Sequence, residues 1–142
     1  MRTHVRFTAP SFSGARALAA WLSADLRQRG IVVAEPLAED WGSLVAAEHA
    51  GTRLRIACGN AVVEEPDGTL VDSRSEWLVW VEPAPTGVLA RLRSRRPDPT
   101  AALREVIHLV DACLRASPGV TGIAWHRVDA RLQEHDHAAT PE

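Results

Sequence analysis

Trp77-Leu78-Val79-Trp80-Val81 is the stretch of this chain that decides its fold. The run is short and wholly apolar, and Glu82 and Pro83 close it, which is typical of a strand that is buried on both faces. Successive side chains of a strand point to opposite sides of the sheet, so one tryptophan is expected on each face. A small domain rarely covers both faces by itself. The run therefore predicts that a partner, a ligand or another copy of the chain meets the second face.

The composition predicts one globular domain and excludes some function classes. With 142 residues and 46% hydrophobic content, the chain is long enough to bury one ordinary core. We expect a single α+β domain over residues 1–129 and a polar, flexible tail over residues 130–142. No apolar run approaches the length of a membrane span, so we expect a cytoplasmic protein. The net charge of -2 provides no general attraction to nucleic acid.

Two segments have the apolar period of amphipathic helices, one before and one after a series of strands. The first is predicted over Phe12–Arg29, with Ser11 or Ser13 as its N-cap and Gly30 at its end. The second is predicted to begin at Asp98-Pro99, because an aspartate caps free amides and proline fits the first helical position. Two helices linked by strands pack most economically on one face of one sheet.

Strand patterns occupy most of the remaining sequence and lead to the predicted architecture. They lie at His4–Ala9, Ile31–Val33, Ser43–His49, Arg53–Cys58, Val62–Val63 with Leu70–Val71, Trp77–Val81, Val88–Arg93 and Val120–Arg127. We predict an α+β two-layer sandwich with a mostly antiparallel sheet of five to seven strands and two helices on one face. Its outline would be ferredoxin-like with extra hairpin strands.

Glu39-Asp40-Trp41-Gly42 places two carboxylates and an indole in a short connection after a strand. Acidic side chains can meet basic groups of a partner, and tryptophan is enriched as an anchor in interfaces. The same residues also fit a structural role, with Trp41 against the edge of the core and the acids capping the turn. Adjacent carboxylates seldom converge on one bond, so they do not indicate acid–base catalysis. Glu39, Asp40 and Trp41 are candidate binding residues.

A second hypothesis places a small-molecule or enzymatic pocket between the open sheet face and this connection. Trp80 would form a stacking wall, and Arg93 would anchor an anion. A third hypothesis, nucleic-acid binding, follows from the basic stretch Arg91–Arg96, but the acidic total and the lack of an aromatic RNA-binding signature disfavour it. A solvated strand end that balances nearby glutamates explains the arginines more simply.

Other chemistry-bearing residues fit structural roles better than functional ones. Cys58 and Cys113 lie in apolar patterns and are predicted as small core residues rather than a disulfide. His4 and His126 are expected to face each other if the first and last strands pair. The candidate metal ligands lie at a strand end and in a polar tail, namely His126, Asp129, Glu134, His135, Asp136 and His137. We predict no metal site, no cofactor and no catalytic residue.

These observations favour a non-enzymatic protein that binds a protein partner, or itself, through an open sheet face. In size, acidity and α+β outline, the chain resembles in general character the small immunity and antitoxin proteins with which bacteria neutralise cognate toxins. The resemblance includes no family motif, so it implies no site residue. A dimeric accessory protein fits the same observations.

Overall fold

A computed structural model describes residues 2–85, 98–128 and 134–137 of the chain. Within these ranges the elements follow one another as strand, helix, five strands, helix and two strands. Their bounds are β1 (Arg2–Thr8), α1 (Ala15–Gln28), β2 (Val32–Val33), β3 (Leu37–Glu39), β4 (Gly42–His49), β5 (Thr52–Glu64), β6 (Leu70–Pro83), α2 (Thr100–Ala116), β7 (Thr121–Val128) and β8 (Glu134–His137).

All described strands belong to one antiparallel sheet with the order β2-β4-β5-β6-β1-β7-β8, and β3 pairs with β4 beside this path. The predicted α+β sandwich with two helices on one face is therefore confirmed for the described residues. The ferredoxin-like outline is not confirmed, because α1 leads to β2 at the edge of an enlarged sheet. The tryptophan-rich run forms the second half of β6, which lies between β5 and β1.

One face of the sheet packs against both helices and forms the core. Trp77, Val79 and Val81 of β6 lie on this face and are buried. The indole nitrogen of Trp77 donates a hydrogen bond of 2.9 Å to the carbonyl oxygen of Ala9, so its one polar group is satisfied inside the core. The helices contribute a buried stripe to the same cluster, namely Leu18, Ala19, Leu22 and Leu26 from α1 and Val106, Ile107, Val110, Cys113 and Leu114 from α2.

The indole of a second buried tryptophan, Trp125, forms a hydrogen bond with a buried carboxylate. Trp125 of β7 donates from its indole nitrogen to Asp111 of α2 over 2.8 Å. The other oxygen of Asp111 accepts from Arg115 one helical turn later, over 2.9 Å. The strand predicted over Val120–Arg127 is therefore present, and Asp111 connects it to the helix layer through a charge that is itself paired.

The predicted start of α1 is wrong by three residues. Gly14 is the N-cap and no side chain caps the helix, so neither Ser11 nor Ser13 has the predicted role. Phe12 precedes the helix, and its ring packs against the rings of Trp21 and Trp77 at the core. The predicted end is confirmed, since Gly30 follows the C-cap with a φ of 91°.

The start of α2 is close to its prediction. Pro99 is the N-cap and not the first helical residue, whereas Asp98 accepts hydrogen bonds from the backbone and hydroxyl of Thr100. These bonds lower the pKa of the Asp98 carboxyl below its usual value. The strand predicted over Val88–Arg93 lies outside the described residues. In the segment for which the sequence predicts a polar tail, Glu134–His137 pair with β7 and extend the sheet.

Both cysteines are buried and free, as predicted. Desolvation raises the pKa of the Cys58 thiol to about 12, and burial together with the Asp25 carboxylate raises that of Cys113 to about 12. Neither thiol is a nucleophile near neutral pH. Of the two helices in the described ranges, neither is long and apolar enough to cross a membrane.

Candidate functional site

The sheet face that points away from the helices, here named the open face, carries the second set of side chains from the tryptophan-rich run. Leu78 and Trp80 lie on it, and both are only partly buried. Val45 faces the core on β4, so its neighbour Leu44 lies on the open face. On β5 the same alternation places Arg55 and Ala57 on the open face, where Ala57 is the cross-strand partner of Trp80.

Every large hydrophobic side chain that is exposed in the described part of the chain is on the open face. Val32 pairs with an open-face residue of β4, and Leu37 pairs with Leu44. Val62 and Leu70 lie on the arm by which the β5–β6 hairpin extends past the sheet. Trp41, the fifth, belongs to the turn between β3 and β4. Since the helix-covered face holds none of them, the exposed large hydrophobic side chains of the described residues are confined to one side of the sheet.

Two glycines allow Trp41 to lie against the open face. A β-carbon on Gly59 would be 3.1 Å from the carbonyl oxygen of Trp41 and 3.6 Å from the ring of Trp80. A β-carbon on Gly42 would collide with the carbonyl oxygen of Cys58. The Asp40-Trp41 turn therefore folds down over β5, where the indole of Trp41 meets that of Trp80 edge to face, with centroids 6.3 Å apart. Trp41 nonetheless remains 50% exposed.

Trp41 forms one wall of a concavity on the open face, which we name the cleft. Its volume is about 930 Å³, and it opens to solvent. The β5–β6 hairpin arm forms the opposite wall. The lining residues are Glu39, Asp40, Trp41, Gly42 and Leu44 at one end, Arg55, Ala57, Leu78, Trp80 and Glu82 along the floor, and Asn60, Val62 and Asp72 at the hairpin.

The hairpin wall owes its position to an irregularity in β6. Asn60 pairs with Trp77, but Val62 pairs with Asp72, so residues 73–76 of β6 face a single residue of β5. The Asn60 amide donates to the carbonyl oxygen of Ser73 over 2.7 Å and closes this bulge. The bulge displaces the register, and as a result Val62 and Asp72 point into the cleft.

The cleft has an excess of negative charge. Among the described residues, its lining contains the carboxylates of Glu39, Asp40, Asp72 and Glu82 and one cation, Arg55. Arg55 is paired in register with Glu82 across β5 and β6, and the two side chains form an ion pair. The other three carboxylates form no ion pair with any described residue. The floor thus combines apolar side chains with one ion pair, and three carboxylates without an ion pair to any described residue lie at its two ends.

Two histidines extend the open face on the other side of Trp80. His4 of β1 and His126 of β7 are cross-strand partners, as expected from the sequence if these strands pair. Their rings stack with centroids 5.0 Å apart and planes 17° apart, and the ring of His4 lies 6.4 Å from that of Trp80. The aromatic floor therefore continues from the cleft across β1 to β7.

The structure brings four of the five candidate binding residues together. Glu39, Asp40 and Trp41 lie at one wall of the cleft and Trp80 lies on its floor. The fifth, Arg93, and the basic stretch Arg91–Arg96 are outside the described residues. The connection lies over β5, and Trp41 is half exposed there rather than tucked against the edge of the core.

Sequence reasoning missed the polar residues on the cleft floor and at the hairpin. Arg55 and Glu82 alternate along their strands with residues that face the core, so both point to the open face. This alternation is visible in the sequence. Asp72 and Asn60 carry no such signal, because their positions depend on the bulge in β6. No part of the sequence marks that bulge.

The chemistry available in the cleft is recognition by charge and aromatic contact. Cys58 is beneath the sheet with a raised pKa, and among the described residues no three side chains of the metal-binding types converge. Comparisons with protein-family models, with curated proteins and with solved structures find no match to this chain. The function has to be argued from the site itself.

Proposed function

We propose that this chain is a non-enzymatic, cytoplasmic binding domain that docks a protein partner on its open face. The observation that carries the proposal is the confinement of all exposed large hydrophobic side chains in the described ranges to that face, where two of them, Trp41 and Val62, line the cleft. Scattered surface hydrophobics are ordinary, whereas a contiguous group bordered by polar residues is typical of an interaction surface.

Covering this surface with a partner would be favourable in free energy. An aromatic side chain contributes up to ~250 Å² of area, so covering the exposed half of Trp41 would contribute about 3 kcal/mol at ~25 cal/mol per Å². Tryptophan at the centre of an interface is also a frequent hot spot. Trp41 and Trp80 form a pair of such anchors side by side, with a polar border on the same strands.

Neutralisation of a toxin is the specific form of this function that we propose, since inhibition by an immunity or antitoxin protein requires only tight docking. An acidic cleft on a small α+β domain suits that role. Self-association through the same face, as in a dimeric accessory protein, is the alternative mode of use.

Site-specific photo-crosslinking in the native host tests the choice of face before the partner is identified. p-Benzoylphenylalanine is placed at Leu37 or Leu70, which are 61% and 68% exposed on the open face. Matched controls carry it at Ala20 on α1 or at Arg104 on α2, both of which are exposed on the helix layer. We expect a defined adduct from both open-face positions and none from the helix positions.

The adduct also identifies the mode of binding by mass spectrometry. A second protein supports docking of a partner, and a second copy of the chain supports self-association. Adducts from the helix positions alone, or from none of the four, contradict the proposal.

The cleft itself favours a second candidate, the binding of a small molecule. Its volume of about 930 Å³ is within the range of ligand pockets, and two indoles line it. Tryptophan fluorescence during titration with a metabolite library tests this, with Trp41→Phe as the control that removes the reporting indole. A saturable shift that Trp41→Phe abolishes, in a chain that yields no protein adduct, would favour the small molecule.

A further inference from the structure

The proposed docking function leaves the chemistry of the partner open, and the cleft restricts that chemistry. Its floor is apolar and aromatic, built from Leu78 and Trp80, with Trp41 above it. The described part of its lining holds four carboxylates and one guanidinium. A partner that covered this surface with apolar side chains alone would remove the carboxylates of Glu39, Asp40 and Asp72 from water without compensation, which is costly.

Arg55, the one cation among the described residues of the cleft lining, does not compensate these acids. Arg55 forms its ion pair with Glu82, its cross-strand partner, and that pair stays within the floor. Glu39, Asp40 and Asp72 lie around the cleft without an ion pair to any described residue. A docked partner therefore has to bring positive charge to the same place where it brings apolar surface.

The arrangement of the two indoles favours one type of cationic side chain over another. Trp41 and Trp80 meet edge to face, so a ring face of one lies beside the ring edge of the other. The face of an indole attracts a cation, and a guanidinium stacks on it while its N–H groups donate to carboxylates in pairs. A lysine ammonium binds as a point charge and gains less from a flat aromatic surface.

We propose that the protein partner inserts an arginine side chain, flanked by apolar residues, into the cleft between Trp41 and the carboxylates of Glu39 and Asp40. The inference rests on the proposed docking function and names the chemistry of its partner. The flanking apolar residues contact Leu37, Leu44 and the hairpin residues Val62 and Leu70, which are on the same face.

Nuclear magnetic resonance with two isosteric probes tests the inference directly. N-acetyl-arginine amide is titrated into ¹⁵N-labelled protein, and N-acetyl-citrulline amide, which has the same shape without the charge, is the matched control probe. The signals read are the indole N–H resonances of Trp41 and Trp80, assigned with Trp41→Phe and Trp80→Phe. We expect arginine to shift both resonances saturably, with an affinity about fivefold higher than that of citrulline.

Charge variants of the protein complete the test. Glu39→Gln with Asp40→Asn should weaken arginine binding about fivefold, whereas Glu35→Gln, an exposed acid outside the cleft, should leave it unchanged. The indole resonances of Trp77 and Trp125, held by hydrogen bonds in the core, report whether each variant is folded.

The outcomes separate this inference from the function on which it rests. Equal affinity for citrulline and arginine, or arginine binding that the double variant does not weaken, overturns the inference. If open-face crosslinks persist in that case, the docking function stands and only the partner's chemistry is wrong. If neither the crosslinks nor the arginine shifts are observed, both are wrong.

Discussion

The helix-covered face and the open face of the sheet are built from the same strands, but tryptophan is buried on the first and partly exposed on the second. Trp77 and Trp80 are three residues apart on β6 and point to opposite sides. Trp77 is 1% exposed and its indole donates to Ala9, whereas Trp80 is partly exposed and contacts the half-exposed ring of Trp41. The first arrangement stabilises the fold by itself, and the second leaves apolar surface for another molecule.

The largest expected effect comes from removing each tryptophan in turn. Trp77→Ala should lower the free energy of unfolding by about 3–5 kcal/mol, because it leaves a cavity in the core and an unpaired carbonyl at Ala9. Trp80→Ala should cost about 1 kcal/mol, since solvent already reaches its ring. Urea denaturation of both variants measures the difference. Equal losses would mean that the open face contributes to the core as much as the covered face does.

A smaller effect is expected where the backbone positions the open face. Gly42→Ala should lower the free energy of unfolding by about 1–3 kcal/mol, because the new methyl group collides with the carbonyl oxygen of Cys58. It should also displace Trp41 from Trp80 and shift the fluorescence of Trp41. Gly51→Ala in the β4–β5 turn is the control, since open space surrounds that residue, although its φ of 74° costs some strain. Its tryptophan emission should stay as in the parent.

The stability of the protein at alkaline pH reports on the two thiols that are buried in the core. Burial raises the pKa of both thiols to about 12, above the ordinary value of 9.0, so the folded state holds protons that the unfolded state releases. Stability from this source is complete below pH 9 and is lost as the pH rises toward 12. The chain contains no lysine and no tyrosine, so few other groups titrate in that window.

The expected loss is on the order of 1 kcal/mol per thiol at pH 10, measured as a fall in the urea midpoint between pH 8 and pH 10. Cys58→Ala should flatten this dependence. An unchanged slope in that variant would show that the thiol of Cys58 is already ionised or accessible in the folded protein.

The smallest expected effect on stability belongs to the exposed apolar residues. Leu37→Ser and Leu70→Ser should change the free energy of unfolding by less than about 0.5 kcal/mol, because both side chains are already in solvent. The same substitutions should abolish the open-face photoadduct when the crosslinker is at the other position. A loss of more than about 2 kcal/mol on thermal unfolding would assign these residues to the fold instead of to binding.

The sequence was informative wherever a pattern repeats along one element. Strand alternation indicated β5 and β7, and the helical stripes of α1 and α2 were visible as periods. The start of α1 was missed because no side chain caps it, and the apolar Phe12, which continues the helical pattern, instead packs against Trp77 from outside the helix. Local signals cannot encode a contact between residues that are far apart in sequence.

Some features of the candidate site follow from patterns along one strand, and others depend on contacts between distant residues. The sequence by itself determined that β6 has apolar side chains on both sides, since strand alternation depends only on the order of residues. The tertiary structure alone decided that Trp77, Val79 and Val81 face the helices and that Trp41 folds over Trp80. Which face is covered depends on where the two helices pack, and the cleft depends on two glycines and a bulge that bring distant strands together.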